Sequence, residues 1–202
     1  MKITLVDEDL AMVEAWADEF KRDNQITGML GDPLRVQADA LVCPGDGFGR
    51  FESGLALRVR QRWPHVVGSI RHAISCPPHY GELALGHAVM VPTGTLDLKW
   101  LIYTADCSGF GMFEHGPDAL QAFRATRGAL SLIRLSGASV PSIGPVRDVI
   151  NSMVIPAIIK GHGEPGRRAC ARQMAFAIRR SNEQLVPMSH GDVDNWISEM
   201  NG

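Results

Sequence analysis

Segments typical of β-strands alternate along this chain with segments typical of amphipathic helices, and this alternation limits the fold more than any other feature. Residues 3–6 predict a strand, and Leu10, Val13, Ala17 and Phe20 recur at helical spacing directly after it. A strand followed by a helix is the repeating unit of α/β domains. We therefore expect a mainly parallel sheet covered by helices on both faces, which is a three-layer α/β/α sandwich.

The same two patterns continue to the C-terminal part of the chain. Further strands are predicted at residues 26–32, 38–43, 86–94, 99–106 and 152–159. Further helices are predicted at residues 55–63, which Pro64 stops, at 118–135, which Gly137 caps, at 167–185 and at 192–200. The chain has 202 residues and no internal repeat, so we expect a single domain over residues 1–202.

The composition excludes several classes of protein. With 45% apolar and 21% charged residues the chain is typical of globular proteins, and its net charge of −2 argues against a nucleic-acid binder that works through a strong positive field. No segment reaches the roughly 20 apolar residues of a membrane span. The four cysteines lack a C-x-x-C pair and are interpreted as reduced, small buried residues. We expect a cytoplasmic protein without a membrane partner. A nucleic-acid partner is disfavoured, but the sequence leaves this question open, and it also leaves the oligomeric state open.

Two glycine-rich turns each follow a predicted strand and precede a predicted helix. They span residues 44–54 and 160–166. Ligands of parallel sheets bind outside the carboxyl ends of the strands, and converging main-chain amides at a helix N-terminus suit an anion such as a diphosphate. The sequence therefore predicts an anion site at this edge, with ligand-free surface turns as the alternative.

Familiar catalytic and cofactor motifs are absent from the sequence. Neither turn matches G-K-[ST] or G-x-G-x-x-G, which disfavours a nucleoside triphosphate or an ordinary dinucleotide. The seven histidines form no metal-binding spacing such as H-E-x-x-H, and no G-x-S-x-G elbow provides a serine nucleophile. We therefore expect neither a metal nor a cofactor.

Three side chains of the first turn are candidates for ligand contact. Asp46 follows a buried strand and is suited to bind sugar hydroxyls or to act as a base, whereas its local alternative is an Asx-type cap. Phe48 and Phe51 flank the glycines and are suited to cover a base or sugar, or to plug the sheet edge. For Phe51 the pattern favours the plug.

Together these motifs resemble the macro domain, an ADP-ribose-binding α/β fold. The elements that match are Gly31-Asp32, the strand ADALV, the turn CPGD and the loop GFGRFESGLA. The stretch CPGDGFGRFESG is similar to the S-P-A-N-S-F-G-x-M-D-G-G pattern of a bacterial and phage subgroup, and PAIIKGHGEP with ACARQM is similar to its second loop and following helix. The resemblance spans nearly all of the chain.

The resemblance implies a mixed, mainly parallel sheet with a cleft for ADP-ribose or an ADP-ribosylated substrate. It implies that Asp32 accepts a hydrogen bond from the adenine amino group, and that the two glycine-rich loops enclose the diphosphate and the distal ribose. The candidate ligand-binding residues of these loops are Gly45, Gly47, Phe48, Gly49, Ser53, Gly54, Lys160, Gly161, His162, Gly163 and Glu164.

Departures from the family pattern leave the reaction open. Asp46 replaces the asparagine that usually contacts the distal ribose, and Ala56 stands where an acidic residue is often found. One hypothesis is an ADP-ribosyl hydrolase with Asp46 as the candidate catalytic residue. Another is a reader that binds the nucleotide without catalysis.

A third interpretation is a receiver-like signalling domain. The acids of residues 7–9 follow the first strand, as in a magnesium-dependent phospho-acceptor pocket in which Asp46 would be the acceptor. Lys99 begins a strand instead of ending one, and the chain is long for such a domain. These two points disfavour the receiver interpretation.

Overall fold

A computed structural model describes residues 1–107, 119–136, 150–160 and 163–181. Strands and helices alternate through these residues, as the sequence predicts. In chain order they are β1 (Lys2–Asp7), α1 (Leu10–Glu19), β2 (Ile26–Leu30), a 3₁₀ turn (Pro33–Arg35), β3 (Ala38–Asp46), α2 (Gly54–Arg62), α3 (Pro64–Ser75), β4 (Ala88–Pro92), β5 (Leu98–Cys107), α4 (Ala119–Ser136), β6 (Ser152–Pro156) and α5 (Gly163–Ser181).

The strands form one mixed sheet with the order β2-β1-β6-β3-β5-β4. Neighbouring strands are parallel apart from β4, which pairs antiparallel with β5. Helices α1, α4 and α5 cover one face of the sheet, and α2 and α3 cover the other. The predicted three-layer α/β/α sandwich is therefore confirmed. A receiver-like domain would need the strand order 2-1-3-4-5, so that alternative is wrong.

The central strands are buried because both of their faces are covered. Leu5 in β1, Val42 in β3 and Ile155 in β6 have no exposed surface and pack beneath α1, α4 and α5. Each such side chain contributes about 1.5–3 kcal/mol by leaving water. This explains why the strands are nearly continuous apolar runs in the sequence.

Strand β3 is longer than predicted and carries part of the first turn. Pro44 pairs with Thr104 and Gly45 with Ala105 of β5, and the register shifts at Asp46. A proline is tolerated here because β6 pairs with β3 only at Ala40 and Leu41, so no neighbouring strand needs the missing amide. Asp46 therefore lies at the end of a strand instead of within a free turn.

Helix α3 is absent from the sequence prediction, which placed only a stop at Pro64. The helix α2 does end before this residue, but Pro64 is also the first residue of α3. Proline is favoured at that position because its fixed φ suits the helix and its missing N–H has no acceptor there. Val66, Val67, Ile70 and Ile74 are buried on one face of α3, and this spacing was the signal that could have revealed it.

Two further elements begin or end at residues other than those predicted. Strand β6 ends at Pro156, three residues before the predicted end, and α5 begins at Gly163 instead of after the turn. The predicted cap at Gly137 and the predicted helix at 192–200 lie outside the described residues. None of the helices in the described part of the chain has the length and apolar content that crossing a bilayer requires.

Asp39 joins β3 to β6 at the amino edge of the sheet, opposite the glycine-rich turns. Its Oδ2 accepts from the backbone amides of Asn151 (3.0 Å) and Ser152 (3.1 Å) and from the Ser152 hydroxyl (3.1 Å), and its Oδ1 accepts from Lys99 Nζ (3.2 Å). Burial by itself would raise the pKa of Asp39, but these hydrogen bonds outweigh it and lower the pKa.

We expect Asp39→Ala to lower the free energy of unfolding by about 2–3 kcal/mol, because two backbone amides lose a charged acceptor. Urea unfolding measures this loss. Lys99→Ala is the matched control: it removes only a half-exposed ion pair, so the expected loss is below about 1 kcal/mol. Equal losses of unfolding free energy in the two variants would contradict the conclusion that Asp39 stabilises the fold mainly as the acceptor of two backbone amides.

The difference in free energy of unfolding between the wild type and Asp39→Ala should become smaller at acidic pH. The folded-state pKa of Asp39 is depressed, so its stabilisation is present above the unfolded pKa and is lost as pH falls through the folded pKa. Unfolding measured from pH 7 down into this acidic range follows the loss.

Candidate functional site

A cavity of about 650 Å³ opens at the carboxyl edge of the sheet. It lies where β1, β3 and β6 end, and the N-terminus of α2 forms one side of it. Its volume falls within the roughly 300–1,000 Å³ that is usual for small-molecule sites. The predicted site residues in its lining are Gly45, Asp46, Ser53, Gly54 and Lys160.

The amides at the start of α2 have no acceptor among the residues that the structure describes. Within the described residues, none of the hydrogen bonds has the backbone N–H of Gly54, Leu55 or Ala56 as its donor, and all three residues line the cavity. The Ser53 side chain makes no capping hydrogen bond to this helix. Unpaired amides together with the positive end of a helix form a site for an anion.

Gly54 gives this helix start its shape. Its φ is +55°, a left-handed conformation that side chains other than glycine rarely adopt, and no atom lies within 4 Å of the position that a Cβ would take. The space beside Gly54 is therefore open, and the backbone conformation is what favours glycine at this position.

Each cation in the cavity lining is held by a carboxylate. Lys160 pairs with Asp7, which is 6% exposed, and Arg50 Nε lies 2.9 Å from Asp46 Oδ2. Arg58 pairs with Glu8 and with Asp32, as described below. Glu52 and Asp106 add two further acidic side chains to the lining. An anionic ligand therefore depends on main-chain amides and on the cations' ability to exchange partners.

The carboxylate of Asp46 caps its own turn. Oδ1 accepts from the backbone amides of Phe48 (2.7 Å) and Arg50 (3.4 Å), while Oδ2 accepts from Arg50 Nε (2.9 Å). This is the Asx-type alternative that the sequence left open. For Asp46 to act as a base, Arg50 would have to release Oδ2.

Tyr103 and Phe51 form the wall beside Asp46. The Tyr103 hydroxyl donates to the Asp46 carbonyl (2.8 Å), and the rings of Phe51 and Tyr103 stack at 4.9 Å. Phe51 is 2% exposed and also lines the cavity, so its ring closes the sheet edge at this wall and its predicted role as a plug stays a prediction. A Cβ at Gly45 would lie 2.4 Å from the Tyr103 hydroxyl oxygen, and glycine is therefore required there.

Three predicted site residues of the first loop lie outside the cavity lining. A Cβ at Gly47 would lie 2.8 Å from the Leu83 carbonyl oxygen, and the Gly49 carbonyl accepts from Arg71 Nε of α3 (2.9 Å). Gly47, Phe48 and Gly49 are not part of the cavity lining. These contacts hold the loop against Leu83 and α3, and the ligand-binding role predicted for these three residues gains no support from them.

Comparison with known proteins identifies the fold. No protein-family model matches the chain, and no curated protein matches it in sequence. The macrodomain of Mycobacterium tuberculosis DarG is 21% identical, with a TM-score of 0.55 and coverage of 75% of this chain and 88% of that one. The macrodomain of Thermus aquaticus DarG is 14% identical, with a TM-score of 0.54 and coverage of 74% and 87%.

The chain has the macrodomain fold. The sequence resembles the macro domain, and the ligand was inferred from that resemblance. The comparison confirms the resemblance at the level of the fold. The two loops that the resemblance assigned to the ligand both begin at the edge of the macrodomain sheet that carries the cavity.

The structure describes the second loop only in part. Lys160 lies in the cavity lining, whereas Gly161 and His162 lie outside the described residues. Gly163 is the first residue of α5, and Glu164 is exposed and pairs with Arg168 (2.8 Å). Neither of these last two residues is in the cavity lining.

Asp32 lies next to the cavity and is not part of its lining. Its Oδ1 accepts from the Leu34 amide (2.9 Å) and caps the 3₁₀ turn, while Oδ2 pairs with Arg58. Ala56, which stands where the family often has an acidic residue, is buried and is part of the cavity lining.

Sequence reasoning missed two contributors to the site. Arg58 follows Gly54 by four residues on α2, and this spacing was available in the sequence. Tyr103 could not be found in this way, because it lies 57 residues from Asp46 and reaches it only through the pairing of β3 with β5.

The thiols of this chain are poor nucleophiles where they are buried. Burial raises the pKa of Cys43 well above its usual range and that of Cys170 to about 12. The interpretation of the cysteines as buried residues is confirmed for these two and is wrong for Cys76, which is half-exposed. In the described ranges no group of three or more His, Cys, Asp or Glu side chains is arranged to hold a metal ion.

Proposed function

We propose that this chain binds ADP-ribose, free or attached to a substrate, in the cavity at the carboxyl edge of its sheet. The observation that carries the proposal is the set of unpaired amides at Gly54, Leu55 and Ala56, which face that cavity at the positive end of α2. Three amides in this arrangement match the oxygens of a diphosphate. The macrodomain fold and the sequence motifs support the choice of ADP-ribose over other diphosphates.

We propose further that the chain is a macro domain of the bacterial or phage type and forms one domain over residues 1–202. We place its action in the cytoplasm. Asp32 supplies the acceptor for the adenine amino group, and Lys160 supplies a cation near the diphosphate. Gly161 and His162 of the second loop complete the enclosure.

Binding without catalysis is the function that the geometry favours. Both carboxylate oxygens of Asp46 are engaged by Phe48 and Arg50, so no base is poised at this position. Hydrolysis of an ADP-ribosyl link is the second candidate. It is favoured by Glu52 and Asp106, which place two more carboxylates in the lining of the same cavity.

Calorimetry with ADP-ribose tests the binding proposal. We expect ADP-ribose to bind more tightly than ribose 5-phosphate, because only the former carries the diphosphate and the base. Absence of any ADP-ribose binding by folded protein would overturn the proposal.

Incubation with a mono-ADP-ribosylated protein separates the two candidates. A reader binds the modified protein and releases no ADP-ribose, whereas a hydrolase releases it in proportion to enzyme. Release that Asp46→Ala abolishes and Glu52→Gln preserves would assign the catalytic role to Asp46.

A further inference from the structure

A second hollow of about 660 Å³ lies next to the main cavity, on the side of the 3₁₀ turn. Glu8 and Arg58 line both spaces, whereas Asp32 lines only the hollow. The side chains of Glu8 and Arg58 therefore form a partition between the two. A nucleotide that binds its diphosphate in the cavity and its base at Asp32 has to pass this partition.

Arg58 is held at the partition by two carboxylates. Its Nη1 donates to Glu8 Oε1 (3.2 Å), and its Nη2 pairs closely with Asp32 Oδ2. The other oxygen of Asp32 accepts from the Leu34 amide (2.9 Å). Arg35 Nε lies 3.7 Å from the same Oδ2, but the Arg35 side chain is 87% exposed, so this long ion pair is weak and Arg58 is the main partner of Oδ2. With Arg58 in this position, neither oxygen of Asp32 is open to the amino group of a base.

Arg58 also lies beside the anion site. It follows Gly54 by four residues on α2, so both lie on the same side of the helix, and both line the main cavity. A diphosphate on the amides of Gly54, Leu55 and Ala56 would offer this guanidinium a charged, bidentate partner that competes with Asp32.

We propose that Arg58 couples recognition of the diphosphate to recognition of the base. Binding of the diphosphate draws the guanidinium away from Asp32, and this releases Asp32 Oδ2 to accept from the exocyclic amino group of the base. The site is then selective for ligands that carry both a diphosphate and an amino-bearing purine. This inference rests on the proposed function and adds a specificity-determining residue to it.

The coupling has a thermodynamic signature. A ligand with one phosphate competes less well for Arg58, so it gains less from an amino group on its base. Because coupling between two recognition events is reciprocal, the amino group should also strengthen the effect of the second phosphate. Removal of Arg58 should abolish both effects.

Displacement of ADP-ribose by ADP, IDP, AMP and IMP measures the coupling. IDP and IMP replace the amino group of the base by an oxo group. For the wild type we expect ADP to bind about tenfold more tightly than IDP, since a charged acceptor discriminates the donor. AMP and IMP should bind within about twofold of one another, because Arg58 still occupies Asp32.

Arg58→Ala should raise the preference for AMP over IMP and should weaken the binding of ADP. The AMP-to-IMP preference should rise to about tenfold because Asp32 is then open, and the affinity for ADP should fall about tenfold because a cation is lost. Arg60→Ala is the matched control, since Arg60 is an exposed arginine of the same helix outside the cavity lining, and it should behave as the wild type.

The outcomes distinguish the two proposals. Equal amino-group preferences for mono- and diphosphates in the wild type, or an AMP-to-IMP preference that Arg58→Ala leaves unchanged, would overturn the coupling while the proposed function stands. Failure of both ADP and ADP-ribose to bind the folded protein would overturn the proposed function itself. Thermal melting checks folding, and Arg58→Gln replaces Arg58→Ala if the latter unfolds.

Discussion

Gly54→Val should reduce the affinity for ADP-ribose about tenfold or more, because it disrupts the amide site on which the proposed function rests. The φ of +55° at Gly54 is strained for a β-branched side chain, and the added methyl groups would enter open space at a residue that lines the cavity. Calorimetry with ADP-ribose measures the loss of affinity.

The strain alone also lowers stability, by about 1–3 kcal/mol. Gly94→Val is the matched control, since Gly94 has a φ of +77° in the turn between β4 and β5 and lies outside the cavity lining. Both variants should lose similar stability, whereas only Gly54→Val should lose binding. Equal affinities in the two variants would contradict the amide site.

Asp46→Asn should strengthen ADP-ribose binding by about three- to tenfold, because it removes a negative charge beside the diphosphate site. The asparagine oxygen can still accept from the Phe48 amide, so the local cap is preserved. Arg50 loses its charged partner in the lining and gains freedom to contact the ligand. Titration of both proteins with ADP-ribose at low ionic strength measures the gain.

Glu52→Gln separates the local effect of Asp46 from the general effect of charge. Glu52 is an exposed side chain of the same lining, so water screens it and the gain in affinity should be smaller. Weaker binding in Asp46→Asn than in the wild type would show that the carboxylate itself contacts the ligand. Such a result would return Asp46 to the role of a ribose contact or a base.

The ion pairs around the cavity suggest how an overall acidic lining accepts an anion. Lys160, Arg50 and Arg58 are each held by a carboxylate before a ligand arrives. Exchange of a carboxylate for a phosphate conserves most of the electrostatic energy, since each cation replaces one anionic hydrogen-bond acceptor by another. Selectivity then depends on which carboxylate is released, and this is the basis of the role proposed for Arg58.

The architecture and the position of the site were readable from the sequence because both depend on local patterns. Apolar runs predicted strands, helical spacing predicted helices, and parallel strands place the turns after them at one edge. The same logic placed Gly54, Asp46 and Lys160 near one another, as the structure does. The family resemblance added the ligand.

Long-range contacts lay outside the reach of these patterns. The occupation of Asp32 by Arg58 joins residues 26 positions apart, and the contact of Tyr103 with Asp46 joins residues 57 apart. The orientation of Gly47 and Gly49 toward Leu83 and α3 depends on a helix that the pattern at Pro64 concealed.

Periodicity and turn chemistry along the chain were thus enough to predict an α/β sandwich with two glycine-rich turns at the carboxyl edge of its sheet. Which amides and carboxylates remain available at that edge followed from packing, because a side chain's partners are chosen among all the groups that the fold brings within a few ångströms of it. The unpaired amides of α2, the engaged oxygens of Asp46 and the partition formed by Glu8 and Arg58 all arise at this second level.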